Sequence, residues 1–371
     1  MLSVFNSKKG IIIGSIVFIL LRMPIASFAE EAWEHITQLP TERRGFATAV
    51  VDNKVYLIGG SLIEDVKRGI RNPGPFGIST VEEYNPQTNT WRPRADMPTP
   101  REYPRVAVVD GIIYVFGGAS GKDNKIGNMK FPVHVEAYNP KNNRWIQKKD
   151  MPISRVNFGL GVVAGRVYLI GGATGFGGGH KQRMDRVDVY NPATDLWGTA
   201  PNMPTRRGPE DVAVVNNRLY VMGGAGWPPA GAGPHLRVIE EYDPISSQWQ
   251  QKPDMLALIS RFSTVVVRDE IYLIGGFRPL ILPREYLAKV DVYHPRTEAW
   301  DTIPELLSPL SPIDAAVVAG KIYVFGGYGE GIIFVRDVLV YDTGFHAVEA
   351  TGKMLTHWGE LKGEPKSQPR N

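Results

Sequence analysis

The sequence predicts an all-β protein that folds as a six-bladed β-propeller, and three observations support this. An apolar strand ending in Gly-Gly recurs six times, at intervals of 58, 54, 52, 52 and 51 residues. A second strand carrying a tyrosine follows each doublet, and a tryptophan stands seven residues after each of the first five tyrosines. Repeats of about fifty residues are typical of propeller blades. The doublets begin at Gly59, Gly117, Gly171, Gly223, Gly275 and Gly326.

Each unit divides into four short strands. The four are an apolar strand, the strand ending in the doublet, the tyrosine strand and the tryptophan strand. A two-residue turn, a variable loop and a proline turn join them in that order. The doublet is expected to let backbone approach the tyrosine and tryptophan rings closely, because glycine has no Cβ. In the second unit the elements are marked by 105–109, Asp110-Gly111, Gly117-Gly118, Tyr138, Asn139-Pro140 and Trp145.

This combination of glycine doublet, tyrosine and tryptophan resembles the kelch-repeat family over roughly residues 32–348. The resemblance implies the propeller fold but does not indicate which function the protein has. Members of the family serve as protein-binding modules, as polysaccharide-associated or secreted proteins, and occasionally as enzymes. Copper oxidases of this architecture need a cysteine crosslinked to tyrosine, and the chain contains no cysteine.

Two segments compete to supply the last outer strand of blade six. Trp33 is followed six residues later by Leu39-Pro40, which matches Trp91 with Met97-Pro98. Val348 stands seven residues after Tyr341 and fits the same register without a tryptophan. Because the N-terminal segment keeps both the tryptophan and the proline, we predict that it closes the ring.

The chain is expected to comprise a signal peptide at 1–29, the propeller at 30–348, and an extra strand or tail at 349–371. Lys8 and Lys9 precede an apolar run from Ile11 to Leu21, and small residues suited to cleavage end at Ala29. An uncleaved anchor is the alternative, although the apolar run is shorter than the roughly 17–25 residues that span a bilayer. We therefore expect export to the periplasm or outside the cell, without membrane insertion once the signal is removed.

Charge and composition exclude several classes of partner and site. The formal charge of +4 falls to +1 once Lys8, Lys9 and Arg22 are removed with the signal, so no nucleic-acid partner is expected. The absence of cysteine excludes disulfides and thiol chemistry. Among seven scattered histidines, His180 and His235 are the plausible members of any metal cluster, and we predict neither a metal nor a cofactor.

Strand direction predicts which face of the disc carries function. Strands in a blade alternate in direction, so loops between second and third strands share a face with the connections that enter the next blade. We call this the long-loop face and the opposite one the short-turn face. We expect a protein or glycan partner on the long-loop face, because loops on a rigid scaffold commonly form binding sites. The long loops are 61–80, 119–132, 173–186, 225–236, 277–287 and 328–333.

Arginine recurs in the blade-entry segments, sixteen residues before the doublet in four blades. The fifth blade places it two residues out of step. These side chains would form a cationic collar at the channel mouth, suited to carboxylates or sulfates. The alternative is that they brace neighbouring loops. The five arginines are Arg43, Arg101, Arg155, Arg207 and Arg261.

Three carboxylates enter blades four and six in place of the usual residues: Glu210, Asp211 and Asp314. A carboxyl group with a raised pKa beside a channel can perform acid–base chemistry. Pairing with a nearby arginine is the alternative, and Arg207 is four residues from Asp211.

Aromatic side chains in the long loops are candidates for contact with a sugar face or a protein. Of these we select Trp227, Phe176, Tyr286 and Tyr328 as ligand-binding residues, and the alternative is that such rings anchor their loops. The remaining aromatics of this kind are Phe76, Phe131 and Phe277.

These observations lead to one main hypothesis and two alternatives. The main hypothesis is an exported binding module that recognises a protein or glycan, with no confident catalytic residue. An enzyme acting on an acidic sugar, such as an epimerase or mutarotase, is the first alternative, with the arginine collar and Glu210 or Asp211 at its centre. A subunit of a surface assembly, attached through residues 349–371, is the second.

Overall fold

The computed structural model describes residues 32–63, 77–121, 129–175, 183–226, 234–280, 284–330 and 334–345, which belong to one compact unit, Glu31–Asn371. These residues form six four-stranded antiparallel sheets, so the predicted all-β, six-bladed propeller is confirmed. The described part of the chain contains no apolar helix with the length needed to span a bilayer.

The strands follow one another along the chain with similar lengths in blades one to five and longer ones in blade six. The first fifteen are β1 (Glu34–Gln38), β2 (Arg43–Arg44), β3 (Ala47–Val51), β4 (Lys54–Ile58), β5 (Ser61–Leu62), β6 (Val81–Asn85), β7 (Thr90–Pro93), β8 (Arg105–Val109), β9 (Ile112–Phe116), β10 (Val135–Asn139), β11 (Arg144–Lys148), β12 (Gly159–Val163), β13 (Arg166–Ile170), β14 (Val187–Asn191) and β15 (Leu196–Ala200). The others are β16 (Arg207–Gly208), β17 (Asp211–Val215), β18 (Arg218–Met222), β19 (Ala225–Gly226), β20 (Ile239–Asp243), β21 (Gln248–Lys252), β22 (Ser263–Val267), β23 (Glu270–Ile274), β24 (Phe277–Arg278), β25 (Glu285–Tyr286), β26 (Val290–His294), β27 (Ala299–Ile303), β28 (Ser311–Val318), β29 (Lys321–Tyr328) and β30 (Phe334–Asp342).

The first strands of the six blades form the wall of a central channel. Strands β3, β8, β12, β17, β22 and β28 each lie at one edge of their sheet, and each contacts the first strands of both neighbouring blades. β28 also contacts β3, so the circle is complete. Three two-stranded ribbons lie on the long-loop face: β2–β5 and β16–β19 join a blade entry to its own long loop, and β24–β25 lies within the long loop of blade five.

The hydrophobic core lies between blades. One apolar cluster combines Ile58 of blade one with Ile113 of blade two, both fully buried. In each blade the predicted tyrosine packs on the tryptophan of the outer strand, as Tyr138 does on Trp145 with ring centroids 4.9 Å apart. The Trp145 indole N–H also donates to the carbonyl of Ala95 in the preceding blade, at 2.9 Å. The indoles of Trp33, Trp197 and Trp249 make the equivalent bond, whereas those of Trp91 and Trp300 have no hydrogen-bond partner among the described residues.

The glycine doublets approach backbone, which differs from the expected approach to aromatic rings. A Cβ on Gly117 would lie 2.5 Å from the carbonyl oxygen of Arg155 in the next blade, closer than atoms can pack. Gly117 also has a φ of 58°, which disfavours other residues. The doublet lets the entry segment of the next blade sit directly on the end of the second strand.

The N-terminal strand closes blade six, as predicted. β1 pairs with β30 in antiparallel register, with Glu34 opposite Val340. The ring of Trp33 lies 5.3 Å from that of Tyr341, and its indole N–H donates to the carbonyl of Pro304 at 2.9 Å. Because β1 begins where β30 ends, Trp33 and Tyr341 both lie at the short-turn face. The predicted signal, the alternative closure at Val348 and the tail at 349–371 lie outside the described residues.

Candidate functional site

The four arginines in register are buried inside their own blades, with at most 1% of each residue exposed. Arg101 donates to the carbonyls of Gly117 at 3.0 Å and His134 at 2.7 Å, and to the carboxylate of Glu136 at 2.9 Å. The same contact recurs in three other blades. The pairs are Arg43–Glu82, Arg155–Asp188 and Arg207–Glu240.

These arginines brace the propeller, so the predicted collar is corrected for four of its five members. A ligand in the channel cannot reach guanidinium groups that are enclosed by their own blade. Burial lowers the pKa of Arg101, and the charge of Glu136 opposes that effect. The backbone of the same residue joins two blades, since the carbonyl of Arg101 accepts the N–H of Gly60 in blade one at 2.8 Å.

The fifth arginine lies elsewhere because of its two-residue offset. Arg261 stands fourteen residues before its doublet, is exposed, and lines a cavity of about 330 Å³ at the long-loop end of the channel. Five of the six positions that lie fourteen residues before a doublet line this cavity as its rim, and the exception is Pro209. Around the ring the six positions are Gly45, Tyr103, Asn157, Pro209, Arg261 and Pro312. In the sequence, only their common distance from the doublet links these positions, because their residue types differ.

The three predicted carboxylates also meet at this cavity. Asp314 of blade six accepts the backbone N–H of Thr48 in blade one at 2.7 Å. Asp211 of blade four accepts the N–H of Thr264 in blade five at 3.0 Å. Each aspartate therefore joins neighbouring blades, while the Glu210 carboxylate accepts the N–H of Arg261.

Burial makes two of these carboxyl groups harder to ionise. Desolvation, followed by the nearby charge of Asp211, raises the pKa of Asp314 to about 6. Desolvation also raises the pKa of Glu210, against the opposing effect of the Arg261 N–H. Both groups therefore hold a proton more tightly than they would in water.

Arg105 crosses the channel below the rim. It projects from blade two and donates to the carbonyl of Phe158 in blade three and to that of Glu210 in blade four, each at 3.1 Å. Its guanidinium lies 3.7 Å from the carboxylate of Asp211. Arg105, Asp211 and Asp314 occupy the same position in alternate blades, twelve residues before the doublet. Together they form a charged layer across the channel.

An apolar layer lies deeper in the channel wall. Nine residues before each doublet every blade carries a half-buried valine on its first strand. Below the charged layer, the channel is therefore lined by aliphatic side chains. The six residues are Val50, Val108, Val162, Val214, Val266 and Val317.

The predicted aromatic ligand contacts separate into three groups. Tyr286 is 8% exposed and packs against Phe277 at 5.9 Å, so it anchors its loop instead of facing solvent. Tyr328 is half-buried and lines the cavity. Phe176 and Trp227 lie outside the described residues and stay predictions.

No group of three potential metal ligands comes together within the described ranges. His235, one of the two histidines considered, is within 2.6 Å of the hydroxyl of Ser260. The other, His180, falls outside those ranges.

Models of the kelch motif match this chain in six segments. One model matches residues 100–152, 154–204, 211–256, 259–307 and 309–354, and a second kelch model matches 42–98. The chain belongs to the kelch family. The six matches correspond to the six blades.

Similar kelch proteins differ widely in length and source. Kelch-like protein 36 of Bos taurus is 27% identical over 259 residues, which cover 69% of this chain and 40% of the relative. Alpha-scruin of Limulus polyphemus is 24% identical over 302 residues, which cover 80% of this chain and 31% of the relative. The kelch chain described here thus spans about two fifths or less of these relatives.

A solved structure of the protein YjhT has the same fold. It superposes with a TM-score of 0.65 at 18% identity, over 82% of this chain and 95% of that one. At this identity the likeness concerns the fold alone.

Proposed function

We propose that this kelch protein is an exported binding module that recognises a protein partner through its long-loop face. The observation that carries the proposal is a set of exposed leucines on that face. Leu256 and Leu307, 51% and 58% exposed, occupy the same position in the entries to blades five and six. Leu62 and Leu280, in the long loops of blades one and five, are 41% and 77% exposed.

Exposed leucines favour a protein over a glycan. Four of the seven exposed large apolar side chains of the described residues lie on this face, and such side chains suit protein interfaces, whereas sugar sites rely on aromatic rings. Among the described residues, the predicted ring of Tyr286 is buried and does not offer such a platform. A glycan partner would therefore depend on Tyr328 at the cavity and on Phe176 and Trp227.

Export is supported by the sequence of the first 29 residues. Two lysines, an apolar run and a small-residue site follow in the order of a signal peptide. A protein so exported would meet its partner outside the cytoplasm.

The test compares substitutions of an exposed apolar residue by serine on the two opposite faces. The full chain and the pair of substitutions Leu256→Ser and Leu307→Ser would be used to isolate partners from the extracellular or periplasmic fraction, followed by direct binding with the purified partner. The control is Ile245→Ser, which removes a 91% exposed side chain from the short-turn face. We expect binding to be lost in the leucine variant and kept in the control.

Two results would contradict this proposal. One is a purified partner whose affinity is equal for the parent and the leucine variant. The other is binding to a glycan array that the leucine substitutions do not affect. That result would indicate that the protein recognises a sugar.

A further inference from the structure

The cavity at the channel mouth contains opposite charges side by side. Arg261 lies on its rim, and no carboxylate of the described residues comes within ion-pair distance of the guanidinium group. The Glu210 carboxylate accepts the backbone N–H of the same residue, so a free positive group and a negative group sit on adjacent blades. A ligand bound here would meet both.

The rim holds three non-glycine residues in a backbone conformation that side chains disfavour. The φ angles are 55° at Tyr103, 49° at Asn157 and 52° at Arg261. Tyrosine and arginine rarely adopt this conformation, asparagine adopts it more readily, and it recurs at functional sites. In the equivalent position blade one has glycine, which adopts the conformation freely. Blades two, three and five therefore accept strain to direct tyrosine, asparagine and arginine side chains at the rim.

Three carboxylates line the cavity beside two arginines, Arg105 and Arg261. Arg105 approaches Asp211 at 3.7 Å, while no lysine or arginine of the described residues lies within that distance of Asp314. Glu210 and Asp314 both line the cavity, and desolvation raises the pKa of each. A protonated amine placed among them would gain from desolvated electrostatic attraction.

We propose that this cavity binds a free α-amino acid, with the ligand carboxylate at Arg261 and the ligand ammonium group at Glu210 and Asp314. An α-amino acid carries its two charges one carbon atom apart, which suits opposite charges on adjacent blades. The volume of about 330 Å³ is at the lower end of small-molecule sites. Tyr103 and Tyr328 flank the space left for the ligand side chain.

The same charges disfavour an acidic sugar. Such a molecule offers a carboxylate to Arg261 but no positive group to the three carboxylates, which would repel it. This small-molecule site is separate from the proposed protein-docking surface, because it uses residues of the channel mouth and not the exposed leucines.

Binding of each of the twenty common L-amino acids to the full chain would be measured by calorimetry at pH 7.5. We expect at least one to bind at a single site. Its amide, which lacks the carboxylate charge, and its N-acetyl derivative, which lacks the ammonium charge, should each bind roughly tenfold or more weakly.

Substitutions in the cavity test whether the amino acid binds there. Arg261→Gln and Asp314→Asn should each reduce affinity by about tenfold or more, since each leaves one ligand charge without its partner. The matched control is Arg278→Gln, because Arg278 is also an exposed arginine of the long-loop face but pairs with Glu285 at 3.5 Å outside the cavity. The paired change of Leu256 and Leu307 to serine should leave this affinity intact, which separates the site from protein docking.

The inference is overturned if none of the amino acids binds, or if the N-acetyl derivative binds as tightly as its parent. Binding of D-glucuronate in preference to every amino acid would also overturn it, because that ligand carries a single charge.

Discussion

At the scale of single residues, the buried arginines of blades one to four are the side chains whose burial costs most. Each must leave water, and each is compensated by a carboxylate and by backbone carbonyls of its own blade. Blade six shows another solution, since Leu310 and Leu339 stand where the arginine and the acid are found in blades one to four. Both leucines are buried in one apolar cluster. An ion pair and an apolar pair thus perform the same packing role.

We expect Arg101→Leu to reduce the free energy of unfolding by about 3–5 kcal/mol, because it leaves Glu136 buried without its cation. Adding Glu136→Leu, which copies blade six, should restore a large part of that loss. Urea unfolding of the parent, the single and the double variant measures both effects. A double variant no more stable than the single one would show that the carbonyl contacts of Arg101, not its charge, dominate.

Asp314 should make stability depend on pH. Its pKa in the folded protein is about 6, above the ordinary value of 3.8, so the folded state binds the proton more tightly than the unfolded chain. The stability this provides is complete below the ordinary pKa and is lost as pH rises through about 6. Asp314→Asn should therefore gain stability relative to the parent on going from pH 4.5 to 7.5, on the order of 1 kcal/mol. Thermal unfolding at both values tests this, and an equal difference at each would contradict it.

The outer strand of each blade depends on a tryptophan that contacts two blades. Trp33 provides this contact in the one blade whose strands come from both ends of the propeller sequence. We expect Trp33→Ala to cost about 3–5 kcal/mol, because it removes both the packing on Tyr341 and the hydrogen bond to Pro304.

The conservative Trp33→Phe variant serves as the control for that prediction, since it keeps an aromatic ring and loses the indole N–H. It should retain most of the stability in chemical unfolding. Equal losses for Trp33→Ala and Trp33→Phe would assign the effect to the hydrogen bond alone.

Elements were easier to predict from sequence than sites, for a physical reason. The strands, the blade number and the closure by β1 follow from repeated local chemistry that recurs six times. The arginine collar did not follow, because sequence shows a repeated position but not whether its side chain points into the blade or into the channel. Arg261, Tyr103 and Asn157 share the rim at an offset of fourteen residues, which the different residue types conceal. Tyr286 shows the same limit, since an aromatic loop residue can be a contact or an anchor.

At the scale of the whole molecule, the closed circle of first strands joins every blade to two others. The pairing of β1 with β30 places the two ends of the propeller sequence in one sheet, that of blade six. Deletion of residues 1–38 would leave β30 with an unpaired edge and expose the ring of Tyr341. We expect the shortened chain to unfold at lower temperature and over a broader range than the parent.

Deletion of residues 1–29 is the control for this truncation, because it keeps β1. Calorimetry of both proteins measures the midpoint and the width of the transition. A chain without residues 1–38 that unfolds as sharply as the control would show that the ring does not depend on β1 for cooperativity.

The position of Trp33 and Tyr341 at the short-turn face also decides how the molecule can be presented on a surface. A tether attached to the chain before Trp33, or after Tyr341, reaches the disc at the short-turn face. A bead, a sensor chip or a lipid layer attached in this way would therefore lie under the propeller, while Leu256, Leu307 and the cavity point toward the bulk solvent. Immobilisation through either end thus leaves the proposed recognition surface free, and attachment through a long loop would obstruct it.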